Sequence, residues 1–118
     1  MAADGFWKRT HTCGQLRKEH DEQQVTLCGW VHNTRDFGGV LFVVLRDRYG
    51  ITQIVFNPDG NADIAAKAEK LRHEFVVSVK GTVRARPQSQ TNSDMATGEI
   101  EVVATELLLV NAAQTPPI

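Results

Sequence analysis

Five stretches of this chain carry apolar residues at every second position, and one stretch of helical spacing falls between the third and fourth. A period of two belongs to strands that bury one face, and a period near 3.6 to a helix that does the same. Residues 25–32 put Val25, Leu27, Gly29 and Val31 on one side, and residues 40–46 put Leu41, Val43 and Leu45 there. Residues 51–56 contribute Thr52, Ile54 and Phe56. Residues 62–73 read as helix, with Ile64, Ala68 and Leu71 at i, i+4 and i+7. The fourth strand, 75–83, turns Phe75, Val77, Val79 and Val83 inward, and the fifth, 99–110, does so with Ile100, Val102 and Ala104. Three strands, a helix and two strands is the order of an OB-fold. The expectation is therefore an all-β chain with helices: a five-stranded Greek-key barrel, with the helix between strands three and four closing one end.

The connections fit that plan. Residues 33–39 read as a loop, 46–50 as a tight turn, 57–61 as a dense turn cluster and 87–98 as a polar loop. Gly29 weakens its strand but allows the bend that a small barrel needs. Thr12-Cys13-Gly14-Gln15 fits a capping box, which predicts a short N-terminal helix through about residue 18 or 19.

On the faces opposite the apolar stripes, two side chains stand out. Phe42 and Arg46 point away from Leu41, Val43 and Leu45, and Gln53 points away from Thr52, Ile54 and Phe56. An aromatic ring and an amide with both donor and acceptor can stack one unpaired base and question its edge. The plain alternative is that Phe42 is the second buried face of its strand. OB-folds bind single strands on strands two and three and on the loops joining strands one to two and four to five. Arg35 lies in the first of those loops, and residues 86–98 make up the second. Thr82, Arg84 and Arg86 share the outer face of strand four, and Glu101 points outward from strand five. Solvated positions are the alternative for these charges.

The composition narrows the class. With 118 residues the chain is one domain. Its 13 basic and 14 acidic residues give a net charge of −1, which excludes coating nucleic acid by bulk electrostatics. Any such contact must be local, and Arg35, Arg46 and Arg48 form one basic group, with Lys80, Arg84 and Arg86 another. Cys13 and Cys28 do not make a disulfide framework. A zinc site from His11, Cys13, Cys28 and His32 fails on reach. Cys28 and His32 lie four residues apart on one strand, about 13 Å, whereas ligand bonds are about 2 Å. No apolar run has the length of a membrane span, and the start reads as neither signal nor transit peptide, so the cytoplasm is expected.

Four fragments carry a resemblance: residues 9–17 (RTHTCGQLR), 25–31 (VTLCGWV), 45–53 (LRDRYGITQ) and 97–102 (TGEIEV). In this order and spacing they resemble the N-terminal anticodon-binding domain of bacterial-type aspartyl-tRNA synthetase. The resemblance runs from about Arg9 to the end, including the Thr115-Pro116-Pro117 exit. It implies residues 1–8 as an extension, 9–111 as the OB-fold domain, and 112–118 as the start of a linker to a class II catalytic domain. It implies the anticodon loop of aspartate tRNA as partner, with bases G, U and C, and a homodimeric full-length enzyme. The residue matching Phe42 stacks on the central uracil, and those matching Arg35, Gln53, Glu101 and Asn92 help to read bases. A carboxylate at Glu101 can accept from the cytosine amino group but has no donor for uracil O4. Arg84 and Arg86 address phosphate and sugar. Two departures are visible: only Arg35 remains of an Arg-rich stretch after Val31, and Gln90 replaces a common Asn. Phe37 and Ser89 stand where His and Gly accompany tolerance of asparagine tRNA, which points to aspartate alone. No cofactor is implied for this domain and no catalytic residue; ATP and Mg²⁺ belong to the full-length enzyme. Relatives reading asparagine or lysine tRNA, a general single-strand binder and a protein-binding OB domain are the alternatives.

Overall fold

The computed structural model describes residues 9–58, 62–71, 75–86 and 97–111, with side chains through Leu109. Five strands close a barrel in the order β1-β2-β3-β5-β4. They are β1 (Gln24–Phe37), β2 (Val40–Asp47), β3 (Gly50–Phe56), β4 (Val76–Ala85) and β5 (Ile100–Asn111), with α1 (Ala62–Ala68) between β3 and β4. Only β3 and β5 pair in parallel; the other four seams are antiparallel. This is the expected OB-fold.

The inward stripes fill the barrel. Leu27, Val31, Val43, Leu45, Ile54, Phe56, Val77, Val79, Ile100 and Val102 are all essentially inaccessible to water. Side chains of this kind stabilise by about 1.5–3 kcal/mol each on full burial, so one-residue slips of register are strongly disfavoured. The helix turns Ile64, Ala65 and Ala68 into the core, with Leu71 just beyond it. Gly29 is required by proximity: a Cβ there would stand 2.3 Å from the Arg46 carbonyl oxygen. Among the described residues no helix is long and apolar enough to cross a membrane.

Three expectations are corrected. Residues 33–37 are not loop: β1 continues to Phe37 and pairs with β2 down to Phe37 opposite Val40. Gly38 (φ 64°) and Gly39 (φ 89°) supply two consecutive left-handed residues, the requirement of a tight two-residue hairpin turn. Asp36 Oδ1 accepts the Gly39 N–H at 3.2 Å and fastens the turn. A bulge between Val31 and Asn33 keeps the longer strand in register despite His32.

The N-terminal helix is the second correction, for only a 3₁₀ turn forms, at Lys18–His20. Half of the capping box exists, since Thr12 N–H donates to Gln15 Oε1 at 3.1 Å. Helix growth is pre-empted by tertiary bonds: Cys13 N–H donates to Asp47 Oδ2 at 2.8 Å, and Thr52 Oγ1 donates to the Cys13 carbonyl. Gly14 packs flat on the β2–β3 turn, where a Cβ would lie 2.1 Å from the Tyr49 carbonyl. Third, α1 is shorter than residues 62–73 and is followed by a turn at 69–70. The later part of that predicted helix, residues 72 and 73, lies outside the described residues. Phe75 precedes β4 and packs partly buried on the core.

Candidate nucleic-acid interface

Cross-strand register places the outward side chains in rows that run around the barrel. Arg35 faces Phe42, Phe42 faces Val55, and Val55 faces Val103. One step along, Asn33 faces Val44 and Val44 faces Gln53; Arg84 faces Glu101. The gap in that second row is closed by a side-chain bond, Gln53 Nε2 to Glu101 Oε1 at 3.2 Å. Phe42 is half-buried and outside the core cluster, so it belongs to the outer face and not to a second buried layer. It lines a cleft of about 320 Å³ with Asn33, Thr34, Arg35, Phe37, Val44 and Gln53.

Arg35 therefore stands on a strand opposite Phe42 rather than on a loop, and it is exposed. Glu101, which could have been a solvated carboxylate, is 6% exposed. Arg84 donates to Glu101 Oε2 through Nε at 3.1 Å and through Nη2. Removing such a carboxylate from water is tolerable only with partners of this kind. Three of its roughly four acceptor directions are then occupied, which leaves one for a base. Glu101 also decides what Gln53 shows outward. An ionised carboxylate only accepts, so the Gln53 amide must turn its nitrogen inward and present its carbonyl oxygen to a ligand.

Arg84 keeps 57% of its side chain exposed, within reach of a ligand. Arg86 is held differently: its Nε donates to the Ile100 carbonyl at 2.9 Å. Burial lowers its pKa from the ordinary value, an effect opposed by the charge of Glu101. Gln90 and Asn92 lie outside the described residues, as does Ser89; Phe37 is exposed at the hairpin tip. Sequence reasoning missed Asn33, Thr34 and Val44 as cleft walls. The signal existed, because the Gly38-Gly39 turn fixes the register that puts Asn33 opposite Val44.

Among the described residues no group of three or more His, Cys, Asp or Glu side chains could hold a metal ion. Cys13 is buried, and its thiol pKa is pushed well up, by desolvation first and the Asp47 charge next.

A family model described as an OB-fold nucleic acid binding domain, tRNA_anti-codon, matches residues 25–110. The aspartate–tRNA(Asp/Asn) ligase of Desulfotalea psychrophila is 52% identical over 117 residues, covering 99% of this chain and 19% of that protein. The chain thus spans about a fifth of the length of the curated relatives it matches. The solved asparaginyl-tRNA synthetase from Pyrococcus horikoshii, complexed with asparaginyl-adenylate, has a TM-score of 0.75 at 30% identity. The match covers 92% of this chain and 24% of that one. An aspartyl tRNA synthetase from Entamoeba histolytica shares the fold, with a TM-score of 0.80 at 21% identity, over 92% of this chain and 22% of its own.

Proposed function

We propose, since this chain belongs to the tRNA_anti-codon family of OB-fold nucleic acid binding domains, that it holds a tRNA anticodon loop on the outer face of β1, β2, β3 and β5. Relatives at 50–52% identity across nearly the whole chain are aspartate–tRNA ligases, and the chain corresponds to their anticodon-binding domain. The observation that carries the reading is the juxtaposition of Phe42 and Gln53 on one open face, with Gln53 oriented by Glu101. Phe42 stacks a base, the central uracil of the resemblance. Gln53 and Glu101 question base edges, Glu101 by accepting from an exocyclic amino group, cytosine's in the reading above. Arg35 and Arg84 approach the bases and backbone from either end of the rows. Arg86 serves more by bracing β5 than by reaching phosphate, and Gln90 and Asn92 complete the contacts from their segment.

Aspartate tRNA is the ligand of this reading. A wider range, aspartate and asparagine tRNA, is favoured by the names of the relatives and opposed by Phe37 and Ser89. ATP- and Mg²⁺-dependent attachment of aspartate, homodimer formation and a cytoplasmic location belong to the full-length ligase in this proposal.

The test is titration of the domain with anticodon stem-loops at one fixed salt concentration. The loop ending in cytosine should bind more tightly than a loop of scrambled sequence; equal affinities would overturn the reading. A third stem-loop, with uracil for the final cytosine, measures the range directly.

A further inference from the structure

The face that carries Phe42 continues past the bases it is proposed to read. Further along β2, Arg46 faces Trp30 on β1 and Ile51 on β3, and the hairpin then ends in Arg48 and Tyr49. From Phe42 to Tyr49 is roughly 20 Å along the strand, whereas three stacked bases occupy roughly 10 Å. Half of the face is left over.

That remaining half is basic and aromatic. Tyr49 is 55% exposed. The Arg9 guanidinium lies 5.4 Å from its ring centroid and the Arg48 guanidinium 5.8 Å, both within cation–π range. Arg9 and Arg48 also rim a cleft of about 250 Å³ walled by Trp30, Gly29 and Val76. Asp47 lines the same cleft and offsets part of this charge, leaving the Arg9 and Arg48 pair net positive. Asp47 is buried and spends its oxygens on the N–H groups of Cys13, Tyr49 and Gly50. Among the described residues no salt bridge engages Arg9, Arg46 or Arg48. A chain of net charge −1 therefore concentrates Arg9, Arg35, Arg46, Arg48 and Arg84 on or beside one face.

We propose that Arg9 and Arg48, cradled by Tyr49, form a second contact for the same RNA strand, taking backbone phosphates that flank the bases read at Phe42 and Gln53. The inference rests on the anticodon reading above but concerns different residues. Guanidinium groups held against a ring have lost less freedom on binding than free arginines would. The contact is electrostatic and blind to sequence, so it raises affinity and salt sensitivity without changing which bases are preferred.

The experiment compares wild type with R9Q/R48Q, which keeps part of each aliphatic stem, by titrating an anticodon stem-loop across a salt series. The variant should bind about three- to tenfold more weakly at low salt. Its plot of log K against log salt should be shallower by roughly 1.4–1.8, since each of the two phosphates no longer neutralised contributes roughly 0.7–0.9 to the slope. The ratio of affinities for cognate and middle-base-substituted loops should stay as in wild type. A K18Q/K70Q control, removing two charges elsewhere, should leave the slope near wild type. Tyr49→Leu removes the cradle and no charge, so it should weaken binding about two- to threefold with the wild-type slope. An unchanged slope in R9Q/R48Q, or an equal drop in the control, overturns the proposal. Failure of wild type to prefer the cognate loop would instead count against the anticodon reading, because the slope comparison can be made on any single strand it binds.

Discussion

Phe42 and Glu101 show how differently two outward side chains can be placed. The direction of Phe42 was legible from parity, since its neighbours Leu41, Val43 and Leu45 point the other way; that its side is an open face and not a second buried layer was not. Glu101 has the same parity, yet Arg84 and Gln53 bury it, and no one-strand pattern shows a neighbour contributed by another strand. Removing the ring should leave the fold intact and take one stack from the ligand. Phe42→Ala is expected to weaken stem-loop binding by about 1–3 kcal/mol, with a circular dichroism spectrum like wild type. An unfolded variant would return Phe42 to the core. For Glu101 the informative change is to glutamine, which adds a donor where only acceptors existed. It also lets the Gln53 amide turn over, since the substituted side chain can offer it either a donor or an acceptor. Glu101→Gln should therefore lower the preference for cytosine over uracil at the final base by about 1–3 kcal/mol. Titration of both loops against both proteins measures that ratio; a constant ratio would show that Glu101 does not govern the base.

The strands were legible as segments, and their ends were not. The inward stripes follow the two-residue period, because burial of one face is a local pattern with a strong energetic reward. The exception is β5, where an irregularity after Ala104 shifts the parity and brings Leu107 into the core. The extension of β1 to Phe37 was hidden because its residues 32–37 are exposed and alternate nothing; pairing with β2 carries them. The failed N-terminal helix was hidden for the opposite reason, a good local signal defeated by a distant carboxylate. Asp47 is that carboxylate, and it holds the N-terminal segment at Cys13 and the β2–β3 turn together through three backbone N–H groups at 2.7–3.1 Å. Asp47→Ala would leave those donors, one of them buried, short of their partner. Unsatisfied buried donors cost about 1–3 kcal/mol each, and exposed ones less. A loss of about 2–4 kcal/mol is expected, read as a lower urea midpoint with an unchanged slope. A loss below about half a kcal/mol, the usual size of a surface substitution, would mean that water replaces the carboxylate without penalty.

Closure of the barrel is what makes a recognition surface from scattered letters. Gln53 and Glu101 are 48 residues apart, and Arg84 is a further strand away, yet the β3–β5 and β4–β5 seams bring them into one hydrogen-bonded row. The order of strands and helix foretold which strands would be neighbours, so where the candidate site assembles was readable from the sequence; the bonds inside it were not. The same surface also bounds what this chain can do. Base stacking, amide and carboxylate edges and arginines bind and discriminate, but none of these groups activates a carboxyl group. That chemistry needs a nucleotide-phosphate site, which the proposed function assigns to the full-length ligase. Full-length relatives are about five times longer, as this chain covers 19% of one of them. The expected outcome is binding without adenylate formation. Mixed with aspartate, ATP, Mg²⁺ and pyrophosphate, the isolated chain should exchange label between pyrophosphate and ATP no faster than buffer. A stem-loop titration on the same preparation should still show saturable binding, so that an inactive sample is not mistaken for an inactive site. Aspartate-dependent exchange above the buffer rate would place catalytic groups within these 118 residues and would require a second site that the outer face of the barrel does not provide.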